Sequence, residues 1–289
     1  MIMVDWKYKT KFHFVCTNKL EVALLEECGV RHTLISYAFA DRVVDKDAKL
    51  GFSWIRDKFD TIFVDSGAHS AFTKGKEVDF NEYTDFLKRE KECIDVAAQL
   101  DIIGDRKRTL ENYIRHVDSG TDWVLPIFSG NWEEALTLME PHLVTNYIGL
   151  GGSVYWKKFH NDGWNIVRNL PNKYDYHGFA KGNIEAFKRG WLYSIDSSSW
   201  SFGARGRETA ARIKGQNVGV KLGRKSNNER NNLRYVHSLL KDDMEACGVE
   251  IENVINGVYR DLLKLAIVIY YRPLFREIGR GMFEQNFKW

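Results

Sequence analysis

The sequence predicts an α/β fold, a (β/α)₈ barrel followed by a C-terminal helical extension. Three observations support this prediction. The chain has 289 residues, and a single barrel of this type typically needs about 250 residues. Short β-rich runs alternate with amphipathic helical segments up to about residue 200, as in a parallel sheet with crossover helices. Beyond that point the pattern changes to a basic stretch and then to helices alone.

Eight runs are predicted to be strands because they are short, rich in β-branched and aromatic residues, and bounded by turn-forming residues. They cover residues 11–15, 33–37, 61–64, 94–99, 123–128, 146–150, 174–178 and 192–195. Eight strands with intervening helices favour a closed barrel, and an open doubly wound sheet is the alternative.

The segments between the strands are predicted to be helices at residues 21–28, 81–92, 109–118, 132–139 and 184–189. In the second of these, Tyr83, Phe86 and Leu87 recur at helical spacing, and Asp79 is predicted to cap its start. Two further helices are expected at residues 233–247 and 252–271. We therefore expect a catalytic barrel over residues 1–204, with a basic segment and a helical cap on the barrel over residues 205–289.

The cysteine content and the hydropathy pattern restrict the location of the protein. Cys16, Cys28, Cys93 and Cys247 lie far apart and form no pattern with metal-ligand spacing. They are expected to be reduced thiols of a cytoplasmic protein. The N-terminus lacks the apolar core of a secretory signal. The longest apolar run, residues 265–271, is far shorter than the ~20 residues that cross a bilayer, so we expect no membrane partner.

The positive charge of the chain is concentrated between residues 205 and 234. This block has nine basic residues against two acidic ones, while the whole chain carries a formal charge of +3. Lys and Arg in such a block can neutralise phosphates, although a charged run is also typical of a solvated surface. The residues expected to contact a nucleic-acid backbone are Arg205, Arg207, Lys221, Arg224 and Lys225.

Two carboxylates follow predicted strands, where a barrel of this type builds its active site. Asp65 directly follows the third predicted strand, and Asp196 directly follows the eighth. A pair of carboxylates at one barrel mouth suits a double displacement at a sugar C1′: one attacks the anomeric carbon, and the other moves protons on the departing and arriving groups. The structural alternative is that Asp65 caps the following turn and Asp196 caps a helix.

Other residues at the strand ends suit the binding of a purine. Asp101 can accept hydrogen bonds from a guanine-like edge, or it can form a salt bridge with Arg106 or Lys107. Gly151 and Gly152 follow the sixth strand and can let the backbone approach a flat ligand, although glycine pairs are common in plain turns. The candidates for stacking on a base, or for ordinary packing, are Phe72, Phe128, Tyr155 and Trp200.

Two histidines near strand ends, His69 and His177, have no third ligand at a suitable spacing, so no metal is expected. We interpret His177 as a structural element of the barrel rim.

These motifs, in this order, resemble the tRNA-guanine transglycosylase superfamily over residues 60–207. The chain has no cysteine-rich zinc cluster and is similar to the short, zinc-free phage form, the 7-deazaguanine DNA transglycosylases. The resemblance implies that Asp65 is the general base of an Asp-Ser-Gly element with Ser66 and Gly67, and that Asp101 reads the base. It also implies that Asp196 is the nucleophile. The remaining base-pocket positions that it implies are Ser129, where the family has Gln, with Gly151 and Gly152.

The implied activity is that of a pentosyltransferase that replaces guanine in DNA with a 7-deazaguanine derivative through a covalent glycosyl-aspartate. DNA and the free 7-deazaguanine base are the expected partners, and no cofactor or metal is expected. Three alternatives remain: a tRNA-guanine transglycosylase, a barrel glycoside hydrolase, and a non-catalytic nucleic-acid-binding subunit of a modification complex. The sequence leaves the oligomeric state open.

Overall fold

The main feature of the fold is an eight-stranded parallel sheet, seen in a computed structural model of the chain. The structure describes residues 9–43, 51–152, 160–180, 182, 184–201, 208–213, 216–221 and 227–288. Of these, residues 160–162, 208–213, 216–221 and 227–232 are described by their backbone alone. The chain divides into two compact units, the first formed by Met1–Asn18 and His32–Asp196, the second by Lys19–Arg31 and Ser197–Trp289.

All eight predicted strands are present in the first unit. Their bounds are β1 Lys11–Cys16, β2 His32–Ser36, β3 Thr61–Asp65, β4 Val96–Ala97, β5 Ile127–Phe128, β6 Tyr147–Leu150, β7 Asp175–Gly178 and β8 Ser194–Ser197. In the sheet they follow the order β4-β3-β2-β1-β8-β7-β6-β5. The parallel register pairs Ser36 with Asp65 in β2 and β3, and His177 with Ser194 in β7 and β8.

The expected closure of the barrel is only partly seen, because the sheet is open between its edge strands β4 and β5. One isolated parallel bridge links Ala98 to Leu125 across this gap. Leu125 donates its N–H to the carbonyl of Ala97 at 2.7 Å, and its carbonyl accepts from the N–H of Gln99 at 2.9 Å. The coarse fold is therefore a curled, all-parallel sheet with helices, as predicted.

One face of the curled sheet carries a hydrophobic cluster. Because side chains alternate between the faces of a strand, one strand contributes every second residue to it. The cluster is formed by Leu34, Phe63, Ala98, Leu125 and Ile127. Burial of each leucine, isoleucine or phenylalanine side chain in this cluster stabilises the fold by roughly 1.5–3 kcal/mol. We call this the inner face of the sheet.

Helices connect the strands of the first unit. They are Ala40–Val43, Ser53–Arg56, Ala68–Phe72, Phe80–Glu90, Arg106–Asp118, Trp132–Met139, His160–Asn169 and Ile184–Arg189, with short 3₁₀ turns at Tyr37–Phe39, Lys91–Cys93 and Glu140–His142. The predicted cap is confirmed, since Asp79 accepts hydrogen bonds from the N–H groups of Asn81 and Glu82.

The second unit contains an early helix, a hairpin and the C-terminal helices. The antiparallel hairpin joins β9, Glu208–Ile213, to β10, Gln216–Lys221. The helices are Lys19–Glu27, Asn227–Leu239, Lys241–Ala246, Ile251–Asn256, Tyr259–Ala266, Arg272–Ile278 and Arg280–Asn286, with a π-helical turn at Ile267–Tyr271. A buried ion pair at 2.7 Å joins Arg272 to Asp243 in this unit. Within the described part of the chain, no helix has the length and apolar character needed to span a membrane.

Candidate active site

The carboxyl ends of the strands bring three aspartates to one end of the inner face. Asp65 is the last residue of β3, and two residues earlier Phe63 belongs to the inner cluster, so both side chains share that face. Asp196, in β8, hydrogen-bonds His177, whose ring centroid lies 4.6 Å from that of Phe63. Asp101 follows β4. The two predicted carboxylates therefore open onto the same face.

The Asp65-Ser66-Gly67 turn has a shape that requires glycine. Gly67 has a φ of +78°, and a Cβ placed on it would lie 2.8 Å from both the N and the Cβ of Ala38. Its N–H donates to Oδ2 of Asp65 at 3.1 Å. Asp65 does cap its turn, as the structural alternative proposed, and the residue as a whole is half-buried. His69 lies exposed in the helix that follows.

The electrostatic environment of Asp65 favours its protonated form. Desolvation of the carboxyl raises its pKa to about 6, and the nearby charge of Asp196 acts in the same direction, while the Gly67 N–H opposes the shift. A carboxyl with a pKa of about 6 can both accept and release a proton near neutral pH. This property suits a residue that moves protons.

Asp101 lies beside Asp65 and is also perturbed. Ser66 donates its hydroxyl to Oδ1 of Asp101 at 3.3 Å. Desolvation, together with the nearby charge of Asp65, raises the pKa of Asp101 to about 7. The salt-bridge alternative is not seen, because Arg106 pairs with Glu134 and Lys107 lies 3.9 Å from Glu111.

The backbone before Asp101 is held by the helix Arg106–Asp118. His116 accepts the N–H of Leu100 at its Nε2, at 3.3 Å, and Asn112 donates its side-chain amide to the Leu100 carbonyl at 3.0 Å. Desolvation lowers the pKa of His116 to about 4, which keeps its Nε2 free to accept near neutral pH. The position of Asp101 is thus fixed by a neighbouring helix.

Asp196 is the most buried of the three carboxylates, with 7% of the residue exposed. Its Oδ1 accepts the N–H of Ala180 at 2.9 Å and lies 3.2 Å from Nε2 of His177. On the other side of the ring, Nδ1 of His177 lies 2.5 Å from Oγ of Ser194, which in turn contacts the hydroxyl of Tyr147. The helix-capping alternative is not seen, since the hydrogen bonds of the Asp196 side chain go to β7 and the residues after it.

Sequence reasoning missed the partners of Asp196. It placed His177 at the rim, whereas the ring is fully buried. The alternation of side chains along a strand could have predicted this contact. It places both His177 and Ser194 at inward positions on adjacent strands. The Asp-His-Ser order suggests a serine nucleophile, but Ser194 is also fully buried and lies beyond the ring from the carboxylate. A substrate at Asp196 would not reach it.

Gly151 serves close packing of the strands. Its N–H donates to the carbonyl of Phe128 at 2.8 Å, and its carbonyl accepts the indole N–H of Trp132 at 3.1 Å. A Cβ on Gly151 would lie 2.9 Å from Cγ2 of Ile127. Gly152 is exposed, with a φ of +86°. Of the pair, Gly152 has the backbone that a ligand can reach.

The other predicted positions are spread more widely. Ser129 is half-buried directly after β5. Phe128 and Trp200 are buried, whereas 59% of Phe72 is exposed. Tyr155, Arg205, Arg207, Arg224 and Lys225 lie outside the described residues, and Lys221 ends β10 without a described side chain.

Fold and site together define an α/β protein with three carboxylates at the carboxyl ends of a parallel sheet. A scan against models of protein families matches none, and a search of curated proteins finds no match. Among the described residues, no group of three or more His, Cys, Asp or Glu side chains is arranged to hold a metal ion.

Proposed function

We propose that the protein is a base-exchange transglycosylase that replaces guanine in DNA with a 7-deazaguanine derivative. The observation that carries the proposal is the meeting of Asp65, Asp101 and Asp196 at one end of the inner face, in different environments. The Asp196 carboxyl accepts the N–H of Ala180, while the pKa values of Asp65 and Asp101 are raised to about 6 and about 7. When the environments of neighbouring carboxyls give them different pKa values, the carboxyls typically take different roles, such as acid, base or nucleophile.

In the proposed reaction, a carboxylate oxygen of Asp196 forms a bond to C1′ of a deoxyguanosine as the bond from C1′ to N9 breaks. The electron pair of that bond leaves with the guanine, which takes a proton from Asp65. A 7-deazaguanine then enters, gives its N9 proton to Asp65, and attacks C1′. Asp196 departs as a carboxylate, so each residue returns to its starting state.

Asp101 is the proposed reader of the base. A guanine-like edge offers an N–H and an NH₂ group, and an ionised carboxylate is the acceptor that suits both. Ser66 holds one oxygen of this carboxylate, and the helix behind Leu100 fixes its backbone. The side chain therefore needs little reorganisation to bind a base.

Exposed side chains near the carboxyl ends of β3 and β4 suit a nucleic acid. The target guanine must leave the duplex stack, which requires roughly a few kcal/mol. Contacts to the phosphates, and an aromatic ring inserted where the guanine was stacked, can offset this free energy. The candidates are the exposed Phe72 with Lys74, Lys76 and Lys107, together with the basic residues 205–234 of the sequence.

We also propose that the eight strands form a closed (β/α)₈ ring. The bridge between Ala98 and Leu125 supports it, because its two hydrogen bonds join the two edge strands. Pro126, which lacks an N–H, explains why the pairing of β5 is so short.

The test is to trap the covalent intermediate on DNA. The protein is incubated with a guanine-containing duplex, with labelled guanine or 7-deazaguanine, and the products are separated under denaturing conditions. We expect an adduct with the wild type and none with Asp196→Ala. Asp122→Ala, which changes an exposed aspartate of the same unit, is the matched control. Failure of the wild type to form any adduct on DNA would refute the proposal, and an adduct on tRNA alone would favour the tRNA enzyme.

A further inference from the structure

A chain of hydrogen bonds runs from Tyr147 through Ser194 and His177 to Asp196. The carboxylate at its end determines which group donates at each step. A carboxylate can only accept, so Nε2 of His177 must donate to Oδ1 of Asp196. With the ring proton on Nε2, Nδ1 accepts from the Ser194 hydroxyl, and the Ser194 oxygen accepts from Tyr147. The Asp196 carboxylate thus selects one tautomer of the neutral ring, and the buried hydroxyls can adapt to it.

A second donor reaches the same oxygen from a strained backbone. Ala180 has a φ of +54° and is the only residue other than glycine with a positive φ in the described part of the chain. Its N–H donates to Oδ1 of Asp196 at 2.9 Å. A left-handed alanine costs about 1 kcal/mol or more and is maintained only where the surroundings require it. Here the strained conformation directs a donor at the carboxylate.

Both donors use Oδ1. From the described residues, Oδ2 of Asp196 accepts no hydrogen bond. Oδ1 is held at two points by described donors, whereas Oδ2 is held by none of them.

We propose that His177 is a positioning residue that, with the Ala180 N–H, assigns the two oxygens of Asp196 to separate tasks. The inference rests on the proposed function. Oδ2 forms the bond to C1′ as the bond to the leaving base breaks, and Oδ1 becomes the carbonyl oxygen of the glycosyl ester. When the second base attacks, the ester bond breaks and its electron pair returns to Asp196. The two N–H donors stabilise the carboxylate that forms.

This assignment predicts an asymmetric effect. Hydrogen bonds to a carboxylate are stronger than those to a neutral ester carbonyl. Loss of the His177 donor should therefore slow breakdown of the covalent intermediate more than its formation. General structural damage at the site would slow both steps together.

The experiment measures formation and breakdown of the adduct in single turnovers for His177→Leu and His177→Gln. Leu removes the donor, whereas the Gln side-chain amide can donate from a position near that of Nε2. We expect the adduct of His177→Leu to break down about tenfold more slowly, relative to its formation, and His177→Gln to recover most of this loss. Asp122→Ala, which changes an exposed aspartate of the same unit, should behave as the wild type. Equal slowing of both steps in His177→Leu, or no recovery with Gln, would overturn the proposal.

If a His177 variant does not fold, a measurement on the wild-type protein still tests the assignment. Nitrogen NMR of the histidine rings should show His177 with its proton on Nε2 and an unprotonated Nδ1. A proton on Nδ1 alone would overturn the assignment. If the wild type forms no adduct but shows this tautomer, the base-exchange function fails while the hydrogen bond to Asp196 stands.

Discussion

Binding of the free base should depend on pH through Asp101. The perturbation is a change from pH 8 to pH 6, across the raised pKa of about 7. The protonated carboxyl cannot accept hydrogen bonds from both donors of a guanine-like edge, so binding requires the ionised form. Affinity should therefore be highest well above pH 7, half of its maximum near pH 7, and lower still as the pH drops further.

The magnitude follows from the pKa. With a value of about 7, about nine-tenths of Asp101 is ionised at pH 8 and about one-tenth at pH 6. The dissociation constant of 7-deazaguanine should rise about tenfold between them, which corresponds to about 1.4 kcal/mol. Isothermal titration calorimetry at pH 6, 7 and 8 measures it. Asp101→Asn, which has no titrating group there, should bind weakly and without this pH dependence.

A second variant separates this explanation from a general acid effect. The charge of Asp65 contributes to the raised pKa of Asp101, so Asp65→Asn should move the midpoint of the binding curve to lower pH. A wild-type affinity that is constant from pH 6 to 8 would refute the reasoning. A midpoint that does not move in Asp65→Asn would show that the two carboxyls are not coupled.

Three further outcomes are expected. In urea titrations, Gly67→Ala should lower the free energy of unfolding by about 1–3 kcal/mol more than the control Gly75→Ala. Both glycines have a positive φ, but of the two only Gly67 has no room for a Cβ. Equal losses of stability would contradict this. Asp101→Asn should stabilise the fold at pH 8 by up to about 4 kcal/mol, because a carboxyl whose pKa is raised in the folded state loses stability as the pH rises. The gain should vanish towards pH 4; thermal melts at both pH values test this, and a gain that persists at pH 4 would refute it. A triple variant with Gln at the exposed Lys74, Lys76 and Lys107 should bind DNA with a weaker dependence on salt. The slope of log K against log salt concentration should fall by up to about three units, and an unchanged slope would exclude these lysines as phosphate contacts.

The strands could be predicted because they are short β-rich runs bounded by turn-forming residues, but their lengths could not. The run 123–128 is continuous in β propensity, yet only Ile127–Phe128 forms a strand. Pro126 cannot donate to a neighbouring strand. Likewise, apolar periodicity over 252–271 predicts one helix, whereas Gly257 takes a φ of +78° and ends the first helix there.

The carboxylates of the site could be predicted from their place at strand ends, but their partners depend on register. His177 meets Ser194 because β7 and β8 pair at that offset, and a shift of one strand by one residue would place the two side chains on opposite faces. The pKa values of Asp65 and Asp101 likewise arise from depth and proximity, which no local pattern encodes.

The distribution of charge at the site indicates which ligands it can accept. The groups that lower the pKa values of Asp65 and Asp101 are hydrogen-bond donors and His69, with no Lys or Arg among them. The buried ring of His13 adds no positive charge to the inner face, because desolvation lowers its pKa well below the usual value. The negative charges of the carboxylates thus repel one another, and few nearby positive charges offset this repulsion. Binding of a proton, or of a ligand rich in N–H groups, would reduce it. A guanine-like edge supplies such groups, whereas the carbonyl that replaces the NH₂ in a xanthine-like edge would face a carboxylate with no proton between them. The site should therefore select guanine-like bases over xanthine-like ones.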